Sequence, residues 1–430
     1  MLFSFSSPSL PLPPGPKKAP IVGNLFDVAR LKNPQWHTFA EWGKQYKSDI
    51  IHVGGLGNSM VILNSYEAAK ELIAKRAIYD SRPRTVVLTE LGGSDFVFSL
   101  MPFGDRWKAA RQTCMHHFIP SDQSTHQPHE TKHIHAMLLK LLDNPQDHMK
   151  HIHRVTESIM MSMIYGINPE DKYLKVMEAA ATATSNLIAA GPYLANAIPA
   201  LKYLPAWLPG AGFKRDARKV SVLATRLHQV PFHAAVEQLK SGEAPASFVS
   251  ASLGAPEKDE YPEELLKRVE EVAGTIYVGG ADTTSSAVAT FFLAMVCYPE
   301  VQKKAQQELD EVLEGRLPVH GEVSSLPYLS AVIKEVLRAM LHDEGFYPDP
   351  FEFKPERFLT AEGEIDKDVL DPVEIAFGFG TRICVGTHIA LSTLYLAAAS
   401  ALTVFDIQKA VDENGKEIEP TREYHQAGLT

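Results

Sequence analysis

One cysteine stands in the most chemically loaded stretch of the chain, Phe377-Gly378-Phe379-Gly380-Thr381-Arg382-Ile383-Cys384-Val385-Gly386. Its glycines let the backbone take positive φ and approach a flat ligand closely. The segment Thr387 to Leu402 follows directly and reads as a helix. Backbone amides and the positive end of that helix favour a thiolate over a thiol at Cys384. Arg382, two residues away, can meet a carboxylate, and Phe377 can shield the sulfur. The plain alternative is a buried cysteine in an ordinary glycine turn, since lone cysteines are mostly inert core residues.

A second candidate is Gly279-Gly280-Ala281-Asp282-Thr283-Thr284, inside a long predicted helix. Two mid-helix glycines cost about 2 kcal/mol together relative to alanine. They permit close approach of a ligand and a local opening of the hydrogen-bond ladder. Thr283 can then hydrogen-bond dioxygen or water, and Asp282 can relay protons from solvent. The competing account is a helix–helix crossing with small residues at the contact.

Three further sets follow. Glu335 and Arg338 share a helix face at i and i+3, with Arg357 in the later Phe353-Lys354-Pro355-Glu356-Arg357-Phe358. On the surface such a pair is worth at most ~1 kcal/mol. Trp107 and Arg111 share a face at i and i+4, which ordinary packing also explains. Finally, His129-Glu130-Thr131-Lys132-His133 matches the zinc-hydrolase pattern H-E-x-x-H, with Glu130 as base. Pro128 precedes it, the flank Ser121 to Gln127 is polar, and no placed third ligand follows. A solvated helix start is the blander reading there.

The cysteine loop resembles the haem-binding signature of the cytochrome P450 superfamily through Phe377, Gly380, Arg382, Cys384 and Gly386. The resemblance implies a haem-thiolate monooxygenase with heme b (iron protoporphyrin IX) and Cys384 as axial ligand, a bond that drives oxygen cleavage. It implies Asp282 and Thr283 as the proton-handling pair, and Trp107 and Arg111 as a clamp on a haem propionate. It makes Glu335–Arg338–Arg357 a buried cluster that holds the meander and supports the cysteine loop. Expected partners are NADPH-cytochrome P450 reductase, O2 and an apolar small molecule, with substrate contacts from 85–100, 190–213 and Tyr277 to Ala281. Thr381 and Thr387 stand where fungal members frequently carry arginine. The 192–215 region resembles fungal secondary-metabolism and xenobiotic-oxidising members, similar to those labelled O-methylsterigmatocystin oxidoreductase-like.

These groups need a scaffold. The predicted fold is mainly α with a small β part, lacking part of the sheet region of the P450 fold. Residues 1–20 read as a proline-rich N-terminal hinge and 21–430 as one domain. A helix is expected around Trp36 to Tyr46, and a hairpin over 49–63 with Gly54-Gly55 at the turn. Helices dominate from 65 to about 345, including Glu263 to about Tyr298 and Leu326 to Met340. The interruption at 190–212 keeps Tyr193, Leu194, Ile198, Leu201, Leu204, Trp207 and Leu208 among prolines and glycines, so it packs over a pocket or meets a membrane. The formal net charge of -10 argues against nucleic acid as partner. Three distant cysteines exclude a disulfide framework. No run of roughly 20 apolar residues is free of charge or proline, which predicts no spanning helix.

Against the family pattern, three pieces are expected to be missing: an N-terminal anchor before Pro13, a few dozen residues between Arg338-Ala339 and Met340-Leu341-His342-Asp343, and a closing hairpin after Leu429-Thr430. The resemblance places the chain at the cytosolic face of the endoplasmic reticulum. Without the anchor, a cytoplasmic or peripheral location is the alternative. The rival readings are a haem-binding relative without turnover and, remotely, the zinc hydrolase through His129, Glu130 and His133.

Overall fold

The computed structural model describes residues 11–20, 22–31, 35–55, 57–169, 171–189, 193–254, 261–339 and 346–421. The expectations about 1–10, Gly191, Pro192, Met340 to Asp343 and the end beyond 421 lie outside the described residues.

Hydrophobic periodicity becomes helices where the sequence predicts them. The longer ones are α1 (Gln35–Tyr46), α2 (Asp105–His117), α3 (Gln127–Asp143), α4 (His148–Tyr165), α5 (Asp171–Ala189), α6 (Gly212–Ser241), α7 (Glu263–Cys297), α8 (Pro299–Leu313), α9 (Pro327–Arg338) and α10 (Thr387–Val404). Local chemistry sets their ends. Pro299 and Pro327 start α8 and α9, where a missing N–H costs nothing. Glu263 and Glu264 sit in the first turn of α7 and complement its dipole.

The β part among the described residues is one antiparallel hairpin, β1 (Ile50–Gly55) and β2 (Asn58–Leu63), in register Ile50↔Leu63 to Gly55↔Asn58. The expected turn glycines are therefore misplaced. Gly54 and Gly55 belong to β1, and Gly54 exchanges hydrogen bonds with Asn24. The proline run is also less hinge-like than expected, since His52 N–H donates to the Pro14 carbonyl at 2.9 Å and ties the segment to β1.

Helix α7 is the axis of the molecule. Val269, Val272, Ala273, Val288, Phe291 and Met295 are buried in one large core. It packs most extensively on α4 and also touches α2, α6, α9 and α10. Helices α7 and α10 are long and apolar enough to cross a membrane by composition, and α10 has no charge or proline over 18 residues, contrary to the sequence expectation. Both run through the core instead, with Ala397, Ala398 and Ala401 of α10 fully buried.

Candidate active site

The cysteine loop closes on itself before α10 begins. Cys384 N–H donates to the Phe377 carbonyl at 2.8 Å, and Thr387 Oγ1 donates to the Cys384 carbonyl at 3.0 Å. Gly380 sits at φ +60°, where a Cβ would meet the Ile73 carbonyl oxygen at 2.9 Å, so no larger residue fits. Phe377 packs half-buried against the main core. Cys384 is exposed, whereas Cys114 is buried and its thiol is pushed up to about 12 by burial. The two cysteines thus differ as a ligand and an inert core residue should.

The predicted clamp residues do come together at this loop. Arg382 lies 4.1 Å over the buried Trp107 ring, and Arg111 lies 5.7 Å from the same ring. Arg111 Nη2 donates to the Ile383 carbonyl at 2.8 Å, next to Cys384. Arg382 spends Nε on the Asp80 carbonyl and Nη2 on the Met101 carbonyl. Its Nη1 is buried and has no partner among the described residues. A guanidinium nitrogen left over two residues from an exposed thiol suits a carboxylate-bearing ligand. The donor set therefore fits a haem with Cys384 as its sulfur ligand.

On α7, Gly279 and Thr283 lie on one face and are exposed, although their neighbours Ala281 and Thr284 are buried. A Cβ at Gly279 would meet nothing within 4 Å. The next glycine differs: a Cβ at Gly280 would strike Met160 Sδ of α4 at 2.5 Å. The two glycines thus serve separate faces, one open and one in the helix crossing that was the competing account. The expected opening of the helix is not present. Helix α7 runs unbroken, and Thr283 Oγ1 donates to the Gly279 carbonyl at 2.6 Å. Asp282 is half-buried, and burial raises its pKa, partly offset by His153. Of the expected substrate segments, 96–98 is fixed to α7: Thr275 Oγ1 accepts from Phe98 N–H and donates to the Phe96 carbonyl, both at 3.2 Å.

The ion cluster is buried, as the resemblance implies. Glu335 Oε2 accepts from Arg338 Nε at 2.9 Å and from Arg357 Nε at 3.1 Å, and Oε1 accepts from the Lys354 amide at 2.8 Å. Arg338 also donates to the Pro350 carbonyl, and Arg357 to the Pro348, Asp349 and Glu352 carbonyls. Two guanidinium groups thereby bind the loop at 348–354 to α9.

The H-E-x-x-H segment needs correction. It opens α3, yet Glu130 is fully buried and His133 is nearly so, so the start is not solvated. Glu130 accepts from Ser392 Oγ at 2.7 Å and Thr393 Oγ1 at 2.8 Å. His129 Nδ1 instead pairs with Ser162 Oγ at 2.6 Å. Among the described residues no group of three or more His, Cys, Asp or Glu is placed to hold a metal. The segment fastens α3 to α10.

Sequence reasoning missed Glu157 and placed Tyr277 only as a substrate contact. Both line a small cavity between α4, α5, α6 and α7 together with Asp282. The signal available was Glu157 at i+4 from His153, the one acidic residue of α4.

The cytochrome P450 family model matches residues 13–340 and 338–426. Cytochrome P450 monooxygenase ple1 of Rhodocybe pseudopiperita is 47% identical over 97% of this chain and 87% of its own length. Cytochrome P450 monooxygenase 98 of Postia placenta is 38% identical over 98% and 88%. Tryptamine 4-monooxygenase of Psilocybe cyanescens is 34% identical over 95% and 88%. The alignment with the first of these runs over 459 residues, more than the 430 of the whole chain. The relative therefore carries residues that this chain lacks, and the family match breaks at 338–340.

Proposed function

The chain belongs to the cytochrome P450 family and is a haem-dependent monooxygenase, and from that premise we propose how its own residues divide the work. Cys384 is the sulfur ligand, held in a loop that Trp107, Arg111 and Arg382 brace, with Phe377, Gly380 and Gly386 shaping the turn. Arg382 Nη1 is the donor for a haem propionate. The haem supplies activation of O2 for insertion of one oxygen atom into an apolar small molecule, such as a fungal secondary metabolite or xenobiotic. Thr283 holds the proton to be delivered, releasing its bond to the Gly279 carbonyl to do so, and Asp282 replaces that proton. Glu335, Arg338 and Arg357 fix the support of the cysteine loop.

Electrons come from an NADPH-cytochrome P450 reductase. The protein acts at the cytosolic face of the endoplasmic reticulum. Exposed Leu194, Ile198, Tyr203, Leu204 and Trp207 give it an apolar surface for the headgroup region. The observation that carries the reading is the closed loop presenting one exposed thiol at the start of α10, two residues from a buried guanidinium nitrogen without a partner among the described residues. The test is the reduced, carbon-monoxide difference spectrum of the purified chain. A thiolate-type Soret band is expected, and Cys384→Ser must abolish it. An unchanged spectrum in that variant sinks the assignment.

The break in the family match at 338–340 favours one second reading, in which the chain binds haem without turning over. A normal thiolate spectrum with no product from NADPH and reductase would support it.

A further inference from the structure

Helices α4 and α7 cross antiparallel, and two contacts fix their register. Ser285 Oγ of α7 lies 3.1 Å from His153 Nδ1 of α4. Five residues earlier on α7, the bare Cα of Gly280 admits Met160 of α4. His153, Glu157 and Met160 lie on one face of α4 at helical spacing. Between the two contacts, Glu157 must face Asp282. Both line a cavity of about 50 Å³ with Tyr277, Thr184 and Ser185, room for a few waters at roughly 10–15 Å³ each. The Tyr277 hydroxyl is buried, with the residue only 4% exposed, and has no hydrogen-bond partner among the described residues. An orphaned hydroxyl in a cavity of this size and polarity calls for ordered water.

We propose that Glu157 is a second proton-handling residue, which passes protons to Asp282 through water held beside Tyr277 in the cavity between α4 and α7. The inference rests on the reading of Asp282 and Thr283 given above. The Glu157 carboxyl gives its proton to a cavity water as that water gives one of its own to the Asp282 carboxylate. Glu157 then takes a proton back from solvent at the half-exposed rim formed by Thr184 and Ser185. No electrons move. The groups around Glu157 are Arg154 and His153 on α4, Glu178 on α5, and Asp282 and Tyr277 on α7, while α6 contributes the uncharged Leu227. Burial, then the Asp282 and Glu178 charges, push the Glu157 carboxyl up to about 7, so it can both hold and release a proton near neutrality.

The experiment is an infrared pH titration of the resting holoprotein, followed by product and peroxide yields per NADPH. Wild type is expected to show a protonated-carboxyl stretch that disappears between about pH 6 and 8. In a Glu130→Gln background, which silences the other buried carboxyl near 7, Glu157→Gln should remove it, and Asp282→Asn should move its midpoint down, because a like charge has gone. Glu157→Gln should also lower the product-to-peroxide ratio roughly three- to tenfold, with recovery in Glu157→Asp. With Glu130 also replaced, a near-neutral carboxyl band that persists in Glu157→Gln overturns the proposal, as does its absence when Glu130 alone is replaced. If Glu157→Gln loses its haem, the band and ratio are read in Glu157→Asp, where an unshifted midpoint counts against it. A ratio lowered by Asp282→Asn and Thr283→Ala but untouched by Glu157→Gln rejects Glu157 alone. A ratio untouched by all three rejects the acid–alcohol reading itself.

Discussion

Two fully buried glutamates fasten core helices to distant segments, and they do it by opposite chemistry. Glu335 of α9 is held by two guanidinium groups and a backbone amide. Glu130 of α3 is held by two hydroxyls of α10, with His320 Nε2 3.5 Å away. Burial raises both carboxyl pKa values, but only Glu335 has Arg338 and Arg357 pulling back. Glu130 is left at about 7, with the Ser392 and Thr393 bonds opposing its burial. The first site is a permanent ion cluster that fixes geometry at some desolvation cost. The second is a carboxyl that folds best with its proton on.

The comparison breaks most visibly at Glu335. Glu335→Ala strands two buried cations and frees the Lys354 amide, so a loss of roughly 3–5 kcal/mol is expected. Its hold on the loop at 348–354, with the proposed support of the cysteine loop, predicts loss of the thiolate-type spectrum along with stability. Denaturant unfolding and the carbon-monoxide spectrum together check this. A variant that unfolds like wild type and keeps its haem would show that the cluster is ornamental.

Glu130 gives a smaller effect with a pH signature. A carboxyl raised to about 7 in the fold, from about 4.5 when unfolded, binds more protons folded than unfolded. Its contribution is therefore complete below about pH 4.5 and is lost as pH rises through 7. Glu130→Gln keeps the shape and drops the titration. Wild type and variant should match near pH 5, and the variant should be up to roughly 2–3 kcal/mol more stable at pH 8. Unfolding midpoints measured at the two pH values decide it. A variant weaker than wild type at pH 8 would mean that the ionised form is the one the site prefers.

Why one glutamate was legible in the sequence and the other was not follows from what spacing encodes. Glu335 and Arg338 are three apart, and Arg357 sits in a proline-bounded motif, so local pattern and family resemblance point to one cluster. The partners of Glu130, Ser392 and Thr393, lie more than 260 residues away on a helix that carries no mark of the contact. The polar flank before Gln127 suggested solvent, and only the packing of α3 on α10 overrides it. The same limit applies on α7. Gly279 and Gly280 look equivalent in the chain, and the difference between open space and Met160 exists only once α4 is in place. It predicts that Gly280→Ala costs roughly 1–3 kcal/mol through overpacking, while Gly279→Ala gains up to about 1 kcal/mol of helix propensity. Thermal unfolding of the two variants checks the contrast. Helix boundaries needed no such context, because periodicity and N-terminal prolines are local.

The finest test of the contrast is Ser392→Ala. Ser392 Oγ donates one of the two hydroxyl bonds to Glu130 and also lies 3.2 Å from His320 Nδ1. Removing it withdraws a bond that favours the carboxylate, so the Glu130 pKa should move above about 7. The stability lost on raising pH should then appear at a higher pH than in wild type, on top of a pH-independent cost of about 1 kcal/mol for the missing bond. A matching loss at Glu335 cannot show this signature, because its guanidinium partners stay charged throughout the range. Unfolding midpoints followed from pH 5 to 9 would separate the two behaviours. A uniform loss without any shift of the titration would place the Glu130 proton under burial alone and leave the α10 hydroxyls as mere packing.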